Sequence, residues 1–467
     1  MSRPDELPSR ATIDIAQIVE ARGLGSSAAR LVLVCWLVTF FDGYDMNIIG
    51  QAAPYLAPAF HLDKLMLGNI FGAGTAGLLL GGFTFGSIAD RIGRRETVIL
   101  ATALFGALTL ALALATRYSH FIVLRFMSGI ALGGAIPLTW ALGTEYVASR
   151  YRATMVTLIM LGYGLGVFAA GPISVVLIPR CGLASVFIFG GASSLLAALV
   201  LIYALPESLR FLASSGRRPD LLVAAIRRLA PGREIPATAR FVLSDETASS
   251  VSPRHVRVLF SGDLARITPL LWLGYIASSM TTFFLTSWGP IVFGALGFTR
   301  NAAALFSSSN SLGGMLGGLA LMRFTDRTGV ITLALFPLIS VPLLLAAGFG
   351  SMSQTAFVAL MLLLSVFLAG SHFGITSITG LFYPTACRGL GTGWASSVGK
   401  IGSTAGPIIG GIVLSSSLPT QQTFAVMAVC PAVLCVCMLA IGLLQRRARR
   451  DSAMDLARHP VSEGGAT

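Results

Sequence analysis

Twelve apolar runs of about twenty residues, separated by short stretches that hold nearly all of the charge, limit what this chain can fold into. A helix rises about 1.5 Å per residue, so each run is long enough to cross the roughly 30 Å hydrocarbon core of a bilayer. The runs lie near residues 30–52, 67–89, 96–115, 119–144, 154–178 and 184–205, then 267–294, 303–324, 330–349, 355–381, 389–416 and 422–444. Charged residues make up 11% of the chain and hydrophobic ones 54%, whereas a soluble domain carries about a quarter charged residues. A water-soluble fold of this composition has too little polar surface to show, and the reading is an all-α membrane protein. Gly and Pro inside the runs are tolerated by membrane helices, and the 52 glycines predict close helix packing.

A net charge of +13 would fit a nucleic-acid binder, but the placement of the basic residues argues otherwise. Of 33 Lys and Arg, 27 fall at the two termini and in the loops that follow even-numbered spans; Lys64, Arg117, Arg180 and Arg300 are the exceptions on the opposite side, and two lie within spans. The positive-inside rule then puts both termini in the cytoplasm of a bacterial-type inner membrane, with the lipid bilayer as partner and no nucleic acid. The six cysteines stand mostly in apolar surroundings without histidines at zinc-like spacing, so free thiols are expected. About thirty mixed polar residues precede the first run, which argues against a cleaved signal peptide.

The organisation expected is a cytoplasmic segment 1–29, a six-helix bundle 30–205, a linker 206–266 with ten Arg, a second bundle 267–444 and a tail 445–467. In the first segment Ile13, Ile15, Ile18 and Val19 fit either a short amphipathic helix on the inner membrane surface or a frayed tail. The two halves repeat each other. GSIADRIGRR after the second span and MRFTDRTG after the eighth place Asp90, Arg91 and Gly93 against Asp326, Arg327 and Gly329, an offset of 236 residues. The same offset pairs Trp36 with Trp272 and Arg152 with Arg388, and Gly171-Pro172 falls one residue from register with Gly406-Pro407. Two parallel six-helix repeats with a site between them near the midplane is the plan of many secondary transporters.

In the turn after the second span, a carboxylate followed by Arg and Gly can dock on the positive N-terminus of a neighbouring helix. Asp90 would then meet the eleventh span near Arg388, and Asp326 the fifth near Arg152; plain topology-setting charge is the simpler reading. These residues carry a family resemblance. The element Gly86, Asp90, Arg91, Gly93, Arg94, Arg95, its weaker copy in the second half and the PES element at Pro206 to Ser208 resemble the major facilitator superfamily over the whole chain. FDGYD (Phe41 to Asp45), RFMSGIALGGAIP (Arg125 to Pro137), TEYVASRYRAT (Thr144 to Thr154) and YPTACRGLGTGWASSVGKIGSTAGPIIGG (Tyr383 to Gly411) are similar to the aromatic acid:proton symporters. The resemblance implies twelve transmembrane helices in two pseudo-symmetric six-helix bundles that rock between outward- and inward-open states, with an aromatic carboxylate and protons as cargo and Tyr44 among the substrate-binding residues.

Charges inside the spans cost about 2.5 to 3.5 kcal/mol each near a helix centre, so each needs a partner or a purpose. Asp42 and Asp45 are three apart on one helix face, and Arg125 lies at a similar depth in the fourth span, so an Asp45 to Arg125 pair is expected. Two carboxylates close together in low dielectric resist being ionised at once, which is what a proton carrier requires; a static buried salt bridge is the alternative. Lys400, near the middle of the eleventh span, is the best candidate for the substrate carboxylate, with Arg125, the other basic residue inside the spans, as the second substrate-binding candidate. The resembling symporters usually have Arg there, so Lys400 departs from the pattern and a point charge replaces a fork.

His372 stands where the resemblance implies an amide, and it either hydrogen-bonds a ring hydroxyl or titrates with the aspartates, unless it is satisfied internally. Trp140, Tyr163, Trp288 and Trp394 are candidates to wall an aromatic ring, with Trp394 preferred for its place six residues before Lys400; packing is the commoner use. Glu145, near Arg150 and Arg152, is either a cytoplasmic gate or a solvated salt bridge.

No phosphate-binding loop, metal cluster or nucleophile constellation is present in the sequence, so an enzyme, an ATP-driven pump and any cofactor are not expected. The leading reading is proton-coupled uptake of a small aromatic carboxylate. Carriage of a non-aromatic acid, export by proton antiport and a sensor that binds the acid without moving it are the alternatives, and no oligomer is implied.

Overall fold

Asp63 caps one helix start with its carboxylate 2.7 Å from the Met66 amide, and such local signals mark out a chain that is nearly all helix. The structure, a computed structural model, describes residues 12–21, 25–215, 218–229, 240–242, 255–328, 332–384 and 387–458. It divides into two units, Met1–Ser252 and Pro253–Thr467. The first holds β1 (Thr12–Asp14), α1 (Ile15–Glu20), the long helices α2 (Ser26–Ala59), α3 (Lys64–Ile92), α4 (Arg94–Leu112), α5 (Tyr118–Glu145), α6 (Arg152–Cys181) and α7 (Ala184–Ala204), then α8 (Leu209–Ser215), α9 (Pro219–Leu229) and β2 (Arg240–Val242). The second holds α10 (Leu264–Ala295), α11 (Arg300–Thr328), α12 (Thr332–Phe349), α13 (Gln354–Ile378), α14 (Arg388–Ser415), α15 (Thr423–Met427) and α16 (Val429–Arg458). Among the described residues ten helices are long and apolar enough to cross a membrane, and Leu333–Phe349 is a shorter apolar one. The 29 residues of α11 also exceed the length that about 30 Å of hydrocarbon demands.

Inside the first unit α3 packs on α5, α2 on α6 and α4 on α7; inside the second the corresponding pairs are α11 on α13, α10 on α14 and α12 on α16. Glycine sets these contacts. A methyl group at Gly166 would overlap the Phe40 carbonyl and one at Gly402 the Ile276 carbonyl; likewise Gly81 abuts the Ile130 carbonyl and Gly317 the Val366 carbonyl. Each second-unit residue lies 236 positions after its counterpart, so the offset read from the charged turns also governs backbone approach in the interior.

Two helices differ from their apolar runs. Helix α2 extends from Ser26 to Ala59, past the run on both sides and through Pro54 and Pro58. The last run is broken at Ala428: Pro431 has no N–H for the Met427 carbonyl and its ring crowds it, so α15 ends and α16 starts with the proline in its first turn. Helix α16 then continues to Arg458, past the expected edge at 444.

The amphipathic segment near the N-terminus is not free to lie on a membrane. Strand β1 pairs in parallel with β2, Ile13 opposite Phe241, and Ile13, Ile15, Ile18 and Val19 are buried with Leu209, Leu212, Leu222, Ile226 and Leu229 of α8 and α9. Apolar residues that the sequence left between two readings are consumed by protein packing.

Candidate functional site

Helix α2 carries Asp42 and Asp45, each 1% exposed, into the interior of the first unit. Arg125 of α5 donates from Nη1 to Asp45 Oδ2 at 2.7 Å and to the Asp45 carbonyl at 3.3 Å. Thr109 of α4 donates to Asp45 Oδ1 at 2.6 Å. Both oxygens of Asp45 are therefore engaged, as an ionised carboxylate in low dielectric requires. Gly74 of α3 makes this possible, since a side chain there would overlap the guanidinium. Asp42 lies one turn earlier on α2, within electrostatic reach of the Tyr163 hydroxyl of α6. The expected Asp45 to Arg125 pair is present; Thr109 and Gly74 were missed, because one Thr and one Gly among many carry no signal in a single sequence.

Tyr44 does not join this cluster. Its hydroxyl donates to the Val186 carbonyl at 2.9 Å and its ring meets Phe189 edge-on, so both functions are spent on packing against α7. Trp288 is likewise used internally, its indole donating to the Pro407 carbonyl at 2.9 Å.

In the second unit Lys400 is half-buried on α14. His372 of α13 lies with Nδ1 3.1 Å from Ser278 Oγ of α10, which gives the imidazole an internal partner. Trp394 is 39% exposed and stacks on Trp272 with ring centroids 6.1 Å apart and 18° between planes; Phe260 meets Trp272 edge-on. The first unit keeps an open apolar groove of about 650 Å³ along the start of α2, lined by Trp36, Val32, Ala28 and Leu158 among others. Among the described residues its lining carries no charge.

At the Arg-rich end of the first unit, Gly93 turns the chain with φ 107°, a conformation open to glycine. The following residues form a network. Arg94 pairs with Glu145, which also accepts from Ser208 Oγ at 2.6 Å, and Arg95 donates from its amide to Glu207 at 3.0 Å and from Nε to the Leu205 carbonyl at 2.8 Å. Glu145 is thus buried with Arg94 and Ser208, which sets aside the solvated salt bridge of its two readings. Tyr146 closes the network by donating to the Glu207 carbonyl at 2.5 Å, and burial pushes its phenol up.

Glu20 of α1 accepts from the Ser149 amide at 2.8 Å and from its hydroxyl at 2.6 Å, and these bonds hold its carboxyl below the usual range. Asp90 and Arg91 are exposed at the end of α3, Arg152 opens α6 and Arg388, exposed, opens α14. Asp326 and Arg327 lie in the last turn of α11, with side chains outside the described residues.

The profile of the Major Facilitator Superfamily matches residues 35–341 and 271–464. The chain is 31% identical to the 4-hydroxybenzoate transporter PcaK of Pseudomonas aeruginosa, covering 94% of this chain and 98% of that one. It is 30% identical to PcaK of Acinetobacter baylyi, over 89% and 92% of the two chains. It is also 30% identical to the gallate transporter of Pseudomonas putida, over 94% and 98%. Among solved structures, the partially occluded inward-open xylose transporter XylE of E. coli superposes with TM-score 0.70 at 17% identity, covering 89% of this chain and 98% of that one.

Proposed function

The chain belongs to the major facilitator superfamily, among its aromatic acid transporters, and from that membership we propose that it takes up a small aromatic carboxylate, a benzoate or hydroxybenzoate relative, together with protons. It is a multi-pass membrane transporter and not an enzyme. The observation that carries proton coupling is the buried cluster of Asp42, Asp45, Arg125 and Thr109. Arg125 stabilises Asp45 as a carboxylate, and Asp42, one turn away, is the acid that takes up and releases a proton as its surroundings change. Lys400 supplies the positive charge for the substrate carboxylate, because an anion held in the hydrocarbon without compensation is too costly. Trp394 offers a ring to stack on.

Alternation between outward- and inward-open states belongs to the same proposal. Its gating residues are those of the repeated charged turns, Asp90 with Arg91 and Asp326 with Arg327, and the arginines that open α6 and α14, Arg152 and Arg388; Arg94 and Glu145 brace the first unit's end. Both termini then face the cytoplasm of an inner membrane, as the distribution of Lys and Arg supports.

Proteoliposomes test the reading. Wild type is expected to accumulate labelled 4-hydroxybenzoate under an inward proton gradient and to exchange it without one. Asp42→Asn is expected to abolish accumulation and retain exchange, since an amide fills the volume but releases no proton. Normal accumulation in Asp42→Asn sinks the proton role, and wild type that binds the acid without exchanging it is a sensor.

A further inference from the structure

Asp42 and Ser278 occupy equivalent turns of the two repeats, 236 residues apart, so the second repeat puts a hydroxyl where the first has a carboxylate. Ser278 is 5% exposed and bridges α10 to α13 through His372 Nδ1 at 3.1 Å. That bond engages one ring nitrogen and leaves Nε2 for a ligand, and His372 keeps part of its surface exposed. The Tyr275 ring meets the imidazole edge-on, centroids 6.3 Å apart and planes 80° apart. The same Tyr275 ring fills the space that a side chain at Gly399 would need, one residue before Lys400. Tyr275 is thus a spacer one ring wide between the imidazole and the turn of α14 that carries Lys400.

We infer that Ser278 positions His372 so that Nε2 reads a ring hydroxyl on an aromatic acid whose carboxylate is held by Lys400, which makes His372 a specificity-determining residue for hydroxylated rings. The inference rests on the function proposed above and names the class of ring within it. A phenolic hydroxyl both donates and accepts, so it satisfies Nε2 in either tautomer that the Ser278 bond selects. An unsubstituted ring covers Nε2 with C–H and leaves it without a partner, and a site built to hydrogen-bond a substrate hydroxyl discriminates against the analogue that lacks it. Ser278 acts through His372 and is a positioning residue, with no contact to the substrate required.

The test is equilibrium binding of benzoate and of the 2-, 3- and 4-hydroxybenzoates to the full-length protein in lipid nanodiscs. Wild type is expected to prefer its best hydroxylated ligand over benzoate by about tenfold or more. His372→Phe is expected to bring that ratio to about one while benzoate affinity stays within about threefold. Ser278→Ala lowers the ratio and leaves benzoate binding in place, and Ser278→Thr, which keeps the hydroxyl, restores it. A structural pin between α10 and α13 would weaken all four ligands alike, so the ratio is the readout that separates the two roles. Should His372→Phe fail to fold, the Ser278 pair and the wild-type ratio still decide. Equal affinity of wild type for benzoate and every hydroxybenzoate overturns the inference, as does a ratio unmoved by Ser278→Ala. Wild type that binds none of the four acids overturns the function on which it rests, a distinct outcome.

Discussion

The two units share their glycine contacts and differ in nearly everything those contacts surround. Phe40 on Gly166 and Ile130 on Gly81 recur as Ile276 on Gly402 and Val366 on Gly317. Where the first unit has Asp42, Asp45 and Arg125, however, the second has Ser278, Thr281 and Met361. Thr281 bonds back to the Ala277 carbonyl of its own helix at 3.2 Å and Met361 is buried, so the second unit holds a quiet, satisfied version of the same place. The reverse holds elsewhere: Gly164 and Leu158 of the first unit correspond to Lys400 and Trp394. Helix pairs that meet through backbone leave the remaining side chains free to diverge, and the divergence puts the buried carboxylates and their arginine in one repeat and Lys400 and Trp394 in the other.

Making the first unit resemble the second breaks the comparison most sharply. Arg125→Met alone strands Asp45, and Asp45→Thr alone strands Arg125; either is expected to cost about 3–5 kcal/mol of stability, since the remaining charge is buried without its partner. The double variant copies Thr281 and Met361 and is expected to recover most of that loss while uptake stays abolished. Thermal unfolding in detergent checks stability and gradient-driven uptake checks function. A double variant no more stable than either single one would show that the pair does not act as a unit.

Lys400→Met, the corresponding loss of charge in the second unit, is expected to weaken acid binding by about 100-fold with a small effect on unfolding. Lys400→Arg is expected to retain binding, with a changed ring preference as the wider guanidinium moves the ligand. Isothermal titration on the three proteins checks this, and unchanged affinity in Lys400→Met removes the case for an anionic cargo. The shared scaffold predicts the opposite of divergence. Gly166→Ala and Gly402→Ala each force a methyl into a facing carbonyl and are expected to destabilise by about 1–3 kcal/mol, within about 1 kcal/mol of each other. Unequal losses would mean that the repeat in sequence is not a repeat in packing.

Fold was the more legible layer. Membrane spans announce themselves by length and apolarity, and the offset of 236 was readable from Asp90 and Asp326 because charge in a tight turn stands out against apolar sequence. The Asp45 to Arg125 pair was legible because few charges compete inside the spans. The surroundings of that pair were not: Thr109 looks like any threonine, and Gly74 is one glycine of 52. Arg94 was not legible as a partner of Glu145, because proximity in sequence points to Arg150 and Arg152, whereas the turn at Gly93 brings Arg94 to it from another loop. Tyr44 sits inside a motif of charged residues yet faces α7, since neighbours on a helix diverge by about 100° per residue.

The smallest effect expected belongs to Glu20, which ties the N-terminal segment to the first unit alone. Its carboxylate accepts two bonds from Ser149, and those bonds, with Arg152 and Arg150 nearby, hold its pKa below the ordinary carboxylate value. A lowered folded-state pKa means that the charged form is the one favoured by folding, so the contribution is complete above the ordinary glutamate range and disappears as pH falls through the lowered value. The buried apolar cluster of Ile13, Ile15, Ile18 and Val19 with α8 and α9 holds the segment in place regardless, which keeps the effect local. Glu20→Gln is therefore expected to raise amide hydrogen exchange in α1 a few-fold over wild type at neutral pH, and the difference is expected to vanish as the pH falls below the lowered value and both side chains become uncharged. Exchange in α10 to α16 is expected to be the same in both proteins at either pH. A difference between variant and wild type that persists in acid would mean that Glu20 acts through packing and that its charge is incidental.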